Sequence, residues 1–185
     1  MADLTEDNAL DRAIQGDGDA FSFLYELYVN RIFSYIYYRT GNITDAEDLT
    51  ARVFQRALGH ISRYTQKGIP FSAWLYRIAH NLVANWHRDN GRRQEVALDD
   101  QPDLVMPGDH PEREMVNNQE VERLILVIKK LSPERQQLIV LKFVQQLSNA
   151  EIAVIMSKSE GAIKSLYHRT LLELRAELNK ILEQE

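Results

Sequence analysis

A dense group of hydrogen-bond donors follows a turn in the C-terminal third of this 185-residue chain. Lys158, Ser159, Lys164, Ser165, His168 and Arg169 fall, at helical spacing, on the side away from Ile163 and Tyr167, and Gly161 and Ala162 among them add no bulk. Ammonium, guanidinium, imidazole and hydroxyl groups in that density suit phosphate oxygens and base edges, and small residues let a backbone approach a duplex closely. A second group lies earlier. At about 100° per residue Arg77, His80, Ala84, His87 and Arg88 share one helix face with Asn81 at its edge, and RDNGRR extends the basic character. His80 and His87 are seven apart, but no carboxylate stands three or four residues from either on that face, so no metal site is read there. Both groups have a plainer reading as solvated faces of helical hairpins.

These donors need rigid elements behind them. Phe71, Trp74, Leu75, Ile78, Ala79, Leu82, Val83 and Trp86 recur at offsets of three and four, which predicts a helix from Pro70 onward with a core on one side. Trp74 and Trp86 lie on that stripe and read as core. Upstream, Phe21, Leu24, Tyr25, Tyr28, Ile32 and Ile36 predict a helix over residues 20–40, with Asp17 or Asp19 as N-cap and Gly41 as the stop. Thr44-Asp45-Ala46-Glu47 fits a capping box for the next helix, which runs to about His60. Residues 116–131 read as a helix, Ser132-Pro133 opens another, and Ser148-Asn149-Ala150-Glu151 is a second capping box leading a short helix to Met156. The three-residue turn Ser157-Lys158-Ser159 then precedes a long helix with Ile163, Tyr167, Thr170, Leu174, Leu178 and Ile181 along one side. A short helix, a three-residue turn and a longer helix outline a helix-turn-helix, whose second helix enters the major groove. No segment reads as a strand, so the predicted class is all-α.

Charge divides the chain. The overall net charge of −5 speaks against nucleic acid until it is resolved by segment. Residues 20–95 carry ten Lys/Arg against six acids, residues 96–120 one against seven, and residues 121–185 ten against eight. Two mildly basic blocks therefore flank an acidic connector, VALDDQPDLVMPGDHPERE, which holds three of the five prolines and has no period. The expected organisation is two small helical domains, residues 1–95 and 117–185, joined by a flexible linker over residues 96–116. The absence of cysteine excludes disulfides, zinc fingers, iron–sulfur clusters and thiol catalysis. No GxxxxGK[ST], GxSxG or HExxH occurs, so no catalytic mechanism and no cofactor is read. Neither a signal peptide nor a membrane-spanning stretch is read, which makes cytoplasm the default.

With these segments in hand the chain resembles a known family. LSNAEIAVIMSKSEGAIKSLYHRTLLELR resembles the second DNA-binding helix-turn-helix of bacterial RNA polymerase sigma factors, and GDAFSFLYELYVNRIFSYIYYR, DAEDLTARVFQRAL and FSAWLYRIAHNLVANWHRDNGRR resemble their region two. The order, the spacing and the acidic linker are similar to the extracytoplasmic-function group from about Asp17 to Leu178. The resemblance implies that the first domain binds core polymerase and opens and reads the minus-ten element, and that the second reads the minus-thirty-five element as duplex. By position it implies that Asp45, Asp48, Arg52, Gln55 and Arg56 meet polymerase. It places Arg63, Tyr64 and Lys67 in a loop that captures an unstacked base, Tyr64 as stacking plane and Lys67 as phosphate charge. Arg77, Asn81, Asn85 and Arg88 match the helix that reads the melted strand. The family often has Gln-Glu where this chain has Ala51-Arg52, a turn glycine where Ser157 stands, and an arginine where Leu166 stands.

The implied function is a promoter-specificity subunit with no catalysis of its own, partnered by core polymerase, promoter DNA and an anti-sigma factor. The alternative is a sigma-like helical interaction protein that occupies polymerase or an anti-sigma without opening DNA. Twenty-one linker residues at ~3.3 Å each reach about 70 Å, or two turns of duplex at ~34 Å per turn. Such a tether predicts variable domain orientation in the free protein.

Overall fold

The computed structural model describes residues 5–65, 69–94 and 125–182, and among them there is no strand. The first helix, α1 (Glu6–Ile14), is not apparent from the apolar pattern alone. Its start is local chemistry: the Thr5 N–H donates to Asn8 Oδ1 at 3.0 Å, and Ala9, Leu10 and Ala13 are buried against α2 (Gly18–Thr40). Asp17 caps α2, accepting from Asp19 and Ala20 N–H at 3.0 and 3.1 Å, and its carboxyl is held below the usual range by those donors and by Arg12. Gly41 ends α2 with φ 67°, a left-handed conformation that favours glycine.

The cap of α3 (Ile43–His60) differs from the sequence expectation. Asn42, not Thr44, is the N-cap, and its Oδ1 accepts from Asp45 N–H at 2.9 Å. Asn competes with Thr for this position because its carbonyl reaches the free N–H groups as readily. A 3-10 turn (Ile61–Arg63) follows, and α4 (Phe71–Gln94) crosses both α2 and α3. The apolar stripe of α4 enters the core as its spacing predicts, although Trp74 and Trp86 are only half-buried.

Of the helix expected over residues 116–131, residues 125–131 are described, and 125–130 of them are helical. The expected linker at 96–116 lies outside the described residues. Next come α5 (Pro133–Ile139), a π-helical turn (Val140–Val144), α6 (Asn149–Met156) and α7 (Glu160–Leu182). Ser132 is the N-cap of α5 with Pro133 in its first turn. Both α5 and α6 pack on α7, and the ion pairs Arg135–Glu173 and Lys130–Glu177 (3.4 Å) tie α5 and the segment before it to α7.

The two helical blocks are not independent bodies. Core residues from α1 to α4 are continuous with Ile125, Ile128, Leu138, Leu141, Ile152 and Ile155, while α6 packs on α4 and the π-helical turn on α2. The expected freedom of orientation is replaced by a packed seam. Its reason is visible on α4, whose second face carries Tyr76, only 1% exposed, beside the half-buried Arg77 and His80. Polar residues at that face disguise a surface that the second block covers.

Candidate nucleic-acid interface

The turn between α6 and α7 is built from short-range bonds. Ser148 Oγ accepts from Glu151 N–H at 3.2 Å while Ser148 N–H donates to Glu151 Oε2 at 2.7 Å, a complete capping box. Ser157 takes the left-handed conformation, φ 55°, and Lys158 N–H closes back on the Ala153 carbonyl at 2.9 Å. Ser159 Oγ then caps α7, accepting from Ala162 N–H at 3.2 Å. With Ile163 and Leu166 buried below, the first turns of α7 leave Gly161, Ala162, Lys164, Ser165, His168 and Arg169 open to solvent. Two cations here already hold carboxylates: Lys158 Nζ lies 2.7 Å from Glu134, and Lys164 Nζ 3.0 Å from Glu160. Both pairs are solvent-exposed to a degree that lets a phosphate compete for the charge.

The donors of α4 are distributed differently. Asn81, Asn85 and Arg88 are exposed, with Arg88 Nε 3.7 Å from Asp89. Asn81 borders a cleft of about 360 Å³ between α3 and α4, lined also by Arg56, His60, Trp74 and Ile78. One aromatic wall with an amide, an imidazole and a guanidinium at the rim is a setting in which a single base stacks and is hydrogen-bonded at its edge. Arg77 turns the other way. Its Nη2 donates to the Val154 carbonyl at 2.6 Å and to Ser157 Oγ at 3.0 Å, and its Nε to the Ile155 carbonyl at 3.3 Å, closing the C-terminal end of α6. His80 faces the same seam, and burial, then the charge of Arg39, pushes its pKa down to about 4.

The loop before α4 corrects one expectation. Tyr64 is 8% exposed, its ring packed against Phe71 and Trp74 and its hydroxyl donating to the Ile69 carbonyl at 2.5 Å. The ring is turned into the core, because an aromatic at the start of a stripe gains more there than from solvent. Trp74, expected as core, is the ring that reaches the cleft. Arg63 is exposed at the end of the 3-10 turn, and Lys67 lies outside the described residues.

On α3, Asp48, Arg52, Gln55 and Arg56 are exposed and Asp45 is half-buried in the first turn. Arg52 stands 3.9 Å from Asp48, and a second cleft of about 310 Å³ joins Asp45, Asp48 and Arg52 to Asn85, Trp86 and Asp89. Leu58, 55% exposed on the same helix, is an open apolar side chain that the charge pattern did not point to, signalled only by its place off the buried stripe.

Comparison with known proteins places this geometry. Residues 24–93 match the Sigma-70 region 2 family and residues 122–174 match the Sigma-70, region 4 family. The chain is 39% identical over 165 residues to the ECF RNA polymerase sigma factor BldN of Streptomyces coelicolor, covering 89% of this chain and 62% of that protein. It is 30% identical over 168 residues to the RNA polymerase sigma factor YlaC of Bacillus subtilis, covering 90% of this chain and 96% of that one. The chain belongs to the ECF RNA polymerase sigma factors. Its fold is shared with CnrH, solved with the cytosolic domain of CnrY, at a TM-score of 0.70, 21% identity and coverage of 93% and 96%. The sigma factor RpoE of Bartonella quintana, solved with the anti-sigma factor NepR, gives 0.66 at 21% identity, covering 86% of this chain and 96% of that one.

Two of the family differences noted in the sequence acquire physical content. A turn glycine suits the left-handed backbone that Ser157 adopts here, so the serine trades some backbone ease for the hydroxyl that Arg77 engages. Leu166, where the family often has arginine, is 6% exposed and part of the core, so its side chain adds to packing and takes no cation away from the open face of α7. No described helix is long and apolar enough to cross a membrane.

Proposed function

We propose that this sigma factor directs promoter-specific initiation by core RNA polymerase through residues placed on three surfaces. In this reading residues 1–95 form the domain that holds polymerase and opens the minus-ten element, residues 96–116 are the tether, and residues 117–185 read the minus-thirty-five duplex. Asp45, Asp48, Arg52, Gln55 and Arg56 on α3 form the polymerase face, with Leu58 as an apolar neighbour. The observation that carries the strand-opening role is the cleft walled by Trp74 and rimmed by Arg56, His60 and Asn81, next to the exposed Asn85 and Arg88. A base leaving the duplex stacks there and meets edge donors, while phosphates pair with Arg63 and Arg88.

The upstream element is read by Lys158, Ser159, Lys164, Ser165, His168 and Arg169, with Gly161 and Ala162 giving room for the backbone. Catalysis belongs to the polymerase, and the working compartment is the cytoplasm where polymerase and chromosome meet. With a net charge of −5 the chain alone holds DNA weakly, and polymerase supplies the remaining affinity. An anti-sigma factor is the expected inhibitor, as in the solved complexes of the similar chains. The test is run-off transcription with core polymerase on genomic fragments that include the DNA upstream of the chain's own gene. Discrete transcripts that require this protein support the reading, and core binding with no specific transcript from a broad promoter library refutes it.

A further inference from the structure

Helix α1 precedes the span matched to region 2, residues 24–93, yet it packs on two elements that lead toward the Trp74 cleft. One is α2 and the other is the 3-10 turn Ile61–Arg63. Burial of Ala9, Leu10 and Ala13 accounts for the docking of α1 but not for Glu6. An exposed carboxylate is already well solvated, and this one nevertheless accepts a hydrogen bond from the Tyr28 hydroxyl, 22 residues away. Tyr28 is 4% exposed, and burial, then the bond to Glu6, pushes its hydroxyl pKa up, so the group stays a donor.

From Tyr28 a run of rings in contact leads to the cleft. The Tyr28 ring meets Phe71, the first residue of α4, edge-on at a centroid distance of 5.8 Å. Phe71, 2% exposed, meets Trp74 at 5.7 Å and Tyr64 at 5.8 Å, and Tyr64 meets Trp74 at 5.1 Å, which closes a triangle. Of these four rings Trp74 is the one that lines the cleft with Arg56, His60, Ile78 and Asn81. Aromatic rings are rigid plates, and in a close-packed interior a tilt of one displaces the next. Glu6 also acts at the other end of the loop before α4. After burial, its charge helps to raise the pKa of the Tyr64 hydroxyl, which donates to the Ile69 carbonyl.

We propose that α1 is a brace for the Trp74 wall, in which Glu6, by holding the Tyr28 hydroxyl, fixes the ring stack that sets the plane of Trp74. Glu6 is then a positioning residue for base capture although it touches no base. That consequence rests on the reading of the Trp74 cleft as the base site, whereas the brace does not.

Trp86→Phe leaves Trp74 as the single tryptophan of the full chain, so its emission reports the wall in the free protein. In that background Glu6→Ala and Tyr28→Phe should each shift the emission and raise acrylamide quenching about two-fold, because a loosened stack admits the quencher. Glu6→Gln, whose side-chain carbonyl still accepts, should restore the parent spectrum. With holoenzyme on a fragment that yields a run-off transcript, Glu6→Ala should slow opening of the minus-ten element about five-fold while the upstream footprint is kept. Added to Trp74→Leu, the same substitution should have almost no further effect, since coupled residues are not additive. Emission unmoved by both Glu6→Ala and Tyr28→Phe, or equal slowing with and without Trp74, overturns the proposal. If Tyr28→Phe loses its helical circular dichroism, Glu6→Ala, at an exposed position, decides alone. Emission that responds while Trp74→Leu opens the promoter like the parent counts against the cleft reading and leaves the brace standing.

Discussion

The helix-turn-helix and the α4 face carry similar donors with opposite construction. The first is made almost wholly by neighbours in sequence: a capping box at Ser148 and Glu151, a left-handed Ser157, and a cap at Ser159, all within a dozen residues. Its donors are exposed because α5 and α6 pack on the buried side of α7 and leave the other side open. The α4 face depends on partners far away in sequence. Tyr64 supports Trp74 from below, α3 supplies Arg56 and His60 to the cleft, and the second block covers Arg77 and His80. A surface made locally tolerates single changes, while one assembled from distant elements couples reading to stability.

That contrast predicts how substitutions separate. The largest effect is expected at Tyr64→Ala, which removes a buried ring and should lower stability by about 3 kcal/mol or more in urea unfolding, with Tyr64→Phe costing about 1. If Tyr64→Ala instead unfolds like the parent and fails only in promoter opening, the ring is a DNA contact and the assignment to Trp74 is wrong. Next comes Trp74→Leu, which should impair promoter opening by about 1–3 kcal/mol while the upstream footprint is retained. Lys164→Ala and Arg169→Ala should each weaken upstream binding by about 1–3 kcal/mol with unfolding midpoints unchanged, as footprints of the holoenzyme and parallel denaturation curves would record. Lys158→Ala should cost less than about 1, because its charge must first leave Glu134.

The smallest effect concerns pH. His80, ordinarily at 6.5, is held at about 4, and His87 is also lowered by burial and by Arg39. Between those values the unfolded chain binds protons that the folded chain refuses, so stability is complete above about 6.5 and declines as pH falls toward 4. Unfolding curves at pH 7.5 and 5 should differ in that sense, and His80→Gln should reduce the difference. An unchanged pH dependence in the variant would mean that His80 is hydrated, and that the seam is open in solution.

Much of the fold was readable because it follows short-range rules. Asp17, Gly41, Ser132 and Ser148 mark helix ends through bonds to residues at most four away, and the α4 stripe has a single strong period. Helix α1 escaped because nine residues with three buried positions give too little pattern. The cap at Asn42 escaped because two competent residues stood two apart. Tyr64 lies deeper than expected and Trp74 shallower, because a stripe tells which side of a helix is apolar and not how deep each ring goes. The seam was invisible because Tyr76, Arg77 and His80 have polar atoms, and only the arrival of the second block turns them inward.

Permanganate reactivity of promoter thymines tests the central claim most directly, since opening is what separates a sigma subunit from a sigma-like protein that merely occupies polymerase. With core enzyme and this chain together, thymines of the minus-ten element should become reactive, and neither component alone should make them so. A complex that forms and protects the upstream element while every thymine stays unreactive would contradict the account.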